Sequence, residues 1–184
     1  MRLFIAFPLE SSVADQLGRI IVALKQKEAD VKWVVPKNIH MTACFLGDTD
    51  QSKVEAVNKV IDEIASQHKQ VATYIDAVGG FPSLDKPRVI WAGMSAGSEP
   101  LATATTALVG KIRRHGFSLD DKPFKPHLTL GRVREGGKFG ELSEYLKTYT
   151  FAPIPIRFDR LTLFESTLTP QGPIYAGIHS ALLK

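Results

Sequence analysis

Short apolar runs along this chain alternate with stretches in which apolar side chains recur every three or four residues, the pattern of strands interleaved with amphipathic helices. Arg2 to Phe7 has the length and character of a buried strand. Ser11 and Ser12 then offer an N-cap, and Val13, Leu17, Ile20, Ile21 and Leu24 fall at helical spacing. Val31 to Val35 and Ile39 to Leu46 read as extended segments broken at Pro36, with a turn expected at Gly47-Asp48. Ser52 and Glu55 have the spacing of a capping box, ahead of a helix that aligns Val54, Val57, Ile61 and Ile64. Val71 to Val78 and Arg88 to Met94 predict strands joined through Gly79-Gly80-Phe81-Pro82.

The second half repeats this grammar. A helix is expected from Ser98 and Pro100 through Leu101, Leu108 and Ile112 to His115-Gly116, followed by a strand over Leu128 to Val133. A short helix carries Leu142, Leu146 and Tyr149, and strands follow near Ile154 to Phe164 and Ile174 to Leu182. Residues repeat along with element order. Arg2-Leu-Phe-Ile-Ala6 resembles Arg88-Val-Ile-Trp-Ala92 at an offset of 86, Pro36-x-x-x-His40-Met-Thr42 resembles Pro123-x-x-x-His127-Leu-Thr129 at 87, and Asp76 with Phe81 resembles Asp159 with Phe164 at 83. Residues 1–87 and 88–184 therefore read as two β-α-β-α-β-β repeats within one bilobal α+β domain, with antiparallel sheets facing each other about a pseudo-two-fold axis and a cleft between them. Tyr175-Ala176-Gly177 also echoes Trp91-Ala92-Gly93 at 84, so the last strand of one half is open to pairing within the other.

Composition narrows the class. With 184 residues, 44% of them hydrophobic and 23% charged, the chain is an ordinary globular domain, and no apolar run approaches the roughly 20 residues of a membrane helix. The N-terminus lacks the features of a signal peptide. A single cysteine, Cys44, forms no intramolecular disulfide and no thiol-rich metal site, which fits a reducing cytoplasm. The net charge of +4 is uneven: between Lys111 and Lys138, the basic residues Lys111, Arg113, Arg114, Lys122, Lys125, Arg132, Arg134 and Lys138 face only Asp120, Asp121 and Glu135. A local excess of this kind suits an anionic partner such as a nucleic-acid end, or marks a solvated face.

The chemistry is concentrated in two His-x-Thr pairs, His40 with Thr42 and His127 with Thr129. In a strand, residues two apart project from one face, so each imidazole and its hydroxyl point together. One such pair is commonplace, but two at equivalent positions of a repeat converge on the same cleft, where a core has no need of imidazoles. Two imidazoles facing each other suit a reaction in which one proton is removed as another is supplied. The hydroxyls are short donors fit for the non-bridging oxygens of a phosphodiester.

Trp33-Val34-Val35-Pro36-Lys37-Asn38-Ile39-His40, Phe124-Lys125-Pro126-His127-Leu128-Thr129-Leu130-Gly131-Arg132, Gly80-Phe81-Pro82, Leu163-Phe164-Glu165-Ser166 and Gly172-Pro173-Ile174-Tyr175 together resemble the two-histidine (2H) phosphoesterases, and among them the RNA 2',3'-cyclic phosphodiesterases once called 2'-5' RNA ligases. The resemblance spans nearly the whole chain. It implies hydrolysis of an RNA 2',3'-cyclic phosphate end to a 2'-phosphomonoester; a small cyclic nucleotide is a further candidate substrate, because the motif reads the reacting phosphate and not its carrier. It also implies no metal or other cofactor, His40 as the acid for the departing 3' oxygen, His127 as the base for water, and Thr42 and Thr129 as phosphate ligands. Reverse 2'-5' joining of RNA ends is a secondary implication, and a monomer is expected. Which histidine is acid and which is base rests on the likeness alone.

Arg132 lies five residues past His127, so strict alternation aims it away from the cleft; a bulge at Gly131 would bring it back as a phosphate ligand. Cys44 shares strand parity with His40, yet reads as a small buried hydrophobe. His68 and His115 end helices and His179 lies in the last strand, none with a catalytic role. Asp48 and Asp50 read as turn chemistry. A binder of RNA ends without catalytic activity, built on the same scaffold, is the competing expectation.

Overall fold

The computed structural model describes residues 1–184. Ten strands, β1 (Arg2–Pro8), β2 (Val31–Trp33), β3 (His40–Asp48), β4 (Val71–Ile75), β5 (Ala77–Phe81), β6 (Val89–Gly93), β7 (Leu128–Val133), β8 (Ile154–Phe158), β9 (Arg160–Thr169) and β10 (Gly172–Leu182), are joined by four helices. The helices are α1 (Ser11–Lys25), α2 (Val54–Gln67), α3 (Glu99–Arg114) and α4 (Leu142–Thr148). The fold is α+β, with every strand pairing antiparallel.

Two four-stranded sheets have the orders β10-β9-β1-β3 and β2-β7-β6-β5, and β4 pairs with β8 in a two-stranded ribbon. The topology is twinned: β9, β1 and β3 in one sheet occupy the places of β5, β6 and β7 in the other. The ribbon joins the two remaining counterparts, with Thr73 opposite Ile156 at its middle. Each sheet mixes strands from both halves, as the echo at Tyr175 allowed. One continuous cluster of 37 buried residues runs from Leu3, Ile5 and Phe7 through Ile90 and Leu130 to Leu163. Burial of each large apolar side chain there contributes about 1.5–3 kcal/mol. Phe7 meets Phe158 edge-on at 6.0 Å, tying the first sheet to the ribbon.

Departures from the sequence reading have local causes. The strand expected over Val71 to Val78 breaks at Asp76, whose backbone N–H donates to the Gly93 carbonyl and whose carboxylate accepts from the Ser95 N–H and hydroxyl. β4 therefore leaves for the ribbon and β5 for the second sheet. Asp159 marks the matching corner between β8 and β9, its carbonyl accepting from the Leu183 N–H. Gly79 to Phe81 belong to β5, because the Trp91 ring lies across Gly79, its cross-strand partner. Gly47-Asp48 stays in β3, with Gly47 at φ +69°. Helix α1 begins after Glu10 with no side-chain cap, and Asp50 replaces the expected capping box by accepting from the Ser52 N–H at 2.8 Å.

Twin bulges fix the register. In β1/β3, Ile5 pairs with Cys44 and Ala6 with Thr42, leaving Ala43 unpaired; in β6/β7, Ile90 pairs with Gly131 and Trp91 with Thr129, leaving Leu130 unpaired. The true correspondence of β1 with β6 is thus 85 residues. The offset of 86 read from the sequence would have matched buried Ile5 with Trp91, which lies on the opposite face.

Substituting Ala at Gly79 drives a methyl into the Trp91 ring and should cost about 1–3 kcal/mol of stability. Ala at Gly110, inside α3 with open space around it, should be neutral or stabilising by up to ~1 kcal/mol. Urea melts of the two variants check the contrast.

Candidate active site

The chain crosses from one sheet to the other between β2 and β3, through a 3-10 turn at Pro36–Asn38 that the fixed φ of proline initiates. This crossing brings β3 alongside β7, so the two His-x-Thr segments lie next to each other. His40 opens β3 and His127 immediately precedes β7. Both rings, like Thr42 and Thr129, are half-buried.

Each imidazole is oriented by its own chain two residues back. His40 Nδ1–H donates to the Asn38 carbonyl at 2.8 Å, and His127 Nδ1–H donates to the Lys125 carbonyl at 2.6 Å. A carbonyl only accepts, so Nδ1 carries a proton in both rings and Nε2 is the atom left to exchange protons. Pro36 and Pro126 hold these short segments in the extended and turn geometry that the bonds require.

Aromatic neighbours complete each setting. Phe4 stacks on the His40 ring with centroids 4.8 Å apart, and Tyr175 meets it edge-on at 5.3 Å. Phe81 meets the His127 ring edge-on at 5.2 Å and packs against Trp91. Phe164 and Phe81, on equivalent strands, thus each stand beside a histidine, which is the structural content of the Asp-to-Phe repeat. Burial beneath these rings lowers the His40 pKa below the ordinary histidine value; the hydrogen bond to Asn38 opposes the shift, and the positive charge of His127 adds to it.

Because of the bulge at Leu130, Leu130 and Gly131 both turn inward and Arg132 returns to the face of His127 and Thr129, opposite Val89. The re-aiming anticipated for Arg132 therefore occurs, with the bulge one residue earlier than expected. Gly131 serves another purpose, since a side chain there would stand 2.6 Å from Val31 Cγ1 and 2.9 Å from the Trp33 ring. Burial raises the Tyr175 pKa, and the positive charges of Arg132 and Arg2 oppose that rise. The twin bulge at Ala43 sends Cys44 into the core opposite Ile5, away from the histidines, and burial pushes its thiol up to about 12. Phe45 takes the position matching Arg132, 64% exposed beside Phe4.

The remaining singled-out groups have structural partners. Asp50 caps its turn, His68 and His115 end α2 and α3, and His179 Nε2 meets Asp62 at 2.7 Å, joining β10 to α2. No group of three or more His, Cys, Asp and Glu side chains is arranged to hold a metal ion. No helix is long and apolar enough to cross a membrane. The sequence reading missed Lys32. It stands directly opposite Arg132 across β2 and β7 and shares its face. Its only trace is the alternation Val31-Lys32-Trp33, too short to place on a sheet from sequence.

Two imidazoles with Nδ1 engaged and Nε2 left open, with two hydroxyls and an arginine on the same strands, are a set of groups able to give and take protons beside a phosphate ester. The chain belongs to the LigT-like phosphoesterase family of the 2H superfamily, whose model matches residues 7–91 and 96–175. Among its relatives, the RNA 2',3'-cyclic phosphodiesterase of Thermotoga maritima is 33% identical over 176 residues, 95% of this chain and 91% of the relative. That of Archaeoglobus fulgidus is 34% identical over 178 residues, 95% and 96% of the two chains. The crystal structure of E. coli LigT complexed with 3'-AMP shares the fold with a TM-score of 0.79 at 23% identity, covering 100% of this chain and 98% of the other.

Protonated His127 lowers the His40 pKa, so replacing His127 by Ala should raise the His40 midpoint relative to the wild type. Titration of the imidazole resonances by NMR checks this; an unmoved or lowered midpoint would separate the two rings.

Proposed function

We propose that the protein hydrolyses the 2',3'-cyclic phosphate end of RNA to a 2'-phosphomonoester with a free 3'-hydroxyl, using His40 and His127 as an acid–base pair. The observation that carries this reading is the twinned setting of the two rings on adjacent β3 and β7, each fixed by a hydrogen bond from Nδ1 to the carbonyl two residues earlier, which leaves both Nε2 atoms open. The names of the relatives support the substrate class.

In this reading water attacks phosphorus and gives its proton to His127 Nε2. The bond from phosphorus to the 3' oxygen breaks, and His40 Nε2–H supplies the proton that oxygen needs. His127 leaves the step protonated and His40 neutral, and exchange with solvent restores both. Thr42 and Thr129 donate to the non-bridging oxygens, while Arg132 offsets their charge as it builds. A 5'-hydroxyl in place of water would join two ends through a 2'-5' linkage, and it competes only when held close, since water is always present. Each proton and charge role in the step is filled by a side chain, so EDTA should leave the rate unchanged.

Replacing either histidine by Ala should lower turnover of a 2',3'-cyclic-phosphate oligonucleotide by about 10² to 10⁴ while the folded state persists. Resolving 2'- from 3'-phosphate product tests regiochemistry in the same assay. Retained activity in either variant, or binding without turnover by the wild type, would overturn the reading.

The lowered His40 pKa has a kinetic consequence. As the acid, His40 must be protonated, which burial and His127 oppose in the free protein and a bound phosphate anion favours. Both kcat/KM and kcat should therefore be bell-shaped in pH, with the alkaline limb of kcat lying at higher pH than that of kcat/KM. Coincident or reversed limbs would argue against His40 as the acid.

A further inference from the structure

The basic excess visible in the sequence divides in two. Lys111, Arg113 and Lys122 are matched by Glu63, Asp121 and Asp120. Arg114, Lys125, Arg132, Arg134 and Lys138 are not, and three cations from elsewhere in the chain join Arg132 and Arg134. Lys32 lies directly opposite Arg132 across β2 and β7. Beyond the end of β7, Arg134 lines a pocket of about 400 Å³ with Lys86 and Arg88, where Glu135 is the sole acid and Phe139 contributes an apolar wall. None of these five cations takes part in any ion pair of the protein. All five are exposed.

Two like charges placed directly opposite on adjacent strands destabilise a sheet. Lys32 and Arg132 could each have been matched by a carboxylate at no structural cost, since both are on the surface, and neither is. The arrangement is favourable only with an anion between them. The same holds for the pocket, where three cations surround one acid. Chain order links the two features: from Thr129 the chain passes Arg132 within β7 and then Arg134, which lines the pocket, and at about 3.3 Å per residue this length exceeds what one nucleotide covers.

We propose that these five cations form a binding track for the internucleotide phosphates of an RNA chain, on the 5' side of its reacting end. Arg132 joins the track to the reacting phosphate, Lys32 opposite it holds the first internucleotide phosphate, and Arg134, Arg88 and Lys86 hold those beyond. The track rests on the cyclic-phosphate reading, and it makes a polynucleotide, not a mononucleotide, the substrate the protein is built for. It grips the backbone and carries no base preference.

The test compares a hexanucleotide ending in a 2',3'-cyclic phosphate with the corresponding nucleoside 2',3'-cyclic phosphate, in the wild type and in R88A/R134A. Both arginines are exposed, so the variant should melt with the wild type. The ratio of kcat/KM for hexanucleotide over mononucleotide should exceed about 10 in the wild type at low salt and fall about tenfold in R88A/R134A, carried by KM. Affinity for the 2'-phosphorylated hexanucleotide product is measured in parallel without turnover. Its log–log slope against salt should shrink by about 1.4 in the variant, ~0.7 for each phosphate no longer neutralised by an arginine. R88K/R134K, which keeps the charge, should recover most of the slope. An unchanged ratio with an unchanged slope would overturn the track and leave the hydrolytic reading standing. Absence of turnover on both substrates, with the slope still falling in R88A/R134A, would overturn the hydrolytic reading and uphold the track.

Discussion

Two one-residue bulges, at Ala43 and Leu130, decide which side chains the sheets offer to the space between them. Without them, strict alternation along β3 and β7 would put Cys44 on the same face as His40 and turn Arg132 away from His127. With them, each strand presents a histidine, a threonine and then, three residues on, a cleft-facing side chain: Phe45 in one copy and Arg132 in the other. The bulges also send a pair of consecutive residues inward, Ala43 with Cys44 and Leu130 with Gly131, which anchors the strands to the core just behind the functional face. Stability and chemistry are therefore set by the same local irregularity, a recurrent role for bulges near active sites.

Twinning of the fold does not make the two histidines equivalent. His40 lies under Phe4 and against Tyr175, and is the more shielded ring; His127 has Phe81 at its edge and Lys125 nearby. The aromatic surroundings of His40 lower its proton affinity in the free protein, so the acid role proposed for it relies on the phosphate anion to favour its protonated form. The cationic side chains diverge as well, gathering along β7 and leaving the β3 side apolar at Phe45. A symmetric scaffold thereby gains a direction, with an anionic chain favoured along one of its two equivalent strands.

Much of this was legible in the sequence. Periodicity located most of the elements, among them β7 at its observed bounds, and the recurrence of Pro-x-x-x-His-x-Thr pointed to both imidazoles. What stayed hidden has physical causes. The corner at Asp76 depends on a carboxylate bonding to Ser95, 19 residues on, and no local pattern encodes it. The bulges depend on pairing partners, so residue matching alone makes the offset between β1 and β6 one residue too long, and parity alone puts Cys44 on the wrong side. Gly131 carried a true signal for the wrong reason, since its missing side chain makes room for Val31 and Trp33. Lys32 gains meaning only through the pairing of β2 with β7.

The central claim is that both Nε2 atoms serve one phosphorus centre. A crystal structure of the protein with orthovanadate or a nucleoside 2'-phosphate in the cleft tests it most directly. The account predicts His40 Nε2 and His127 Nε2 each within about 2.7–3.2 Å of an oxygen on the same central atom. An anion touched by only one of the rings, or bound away from both, would contradict it.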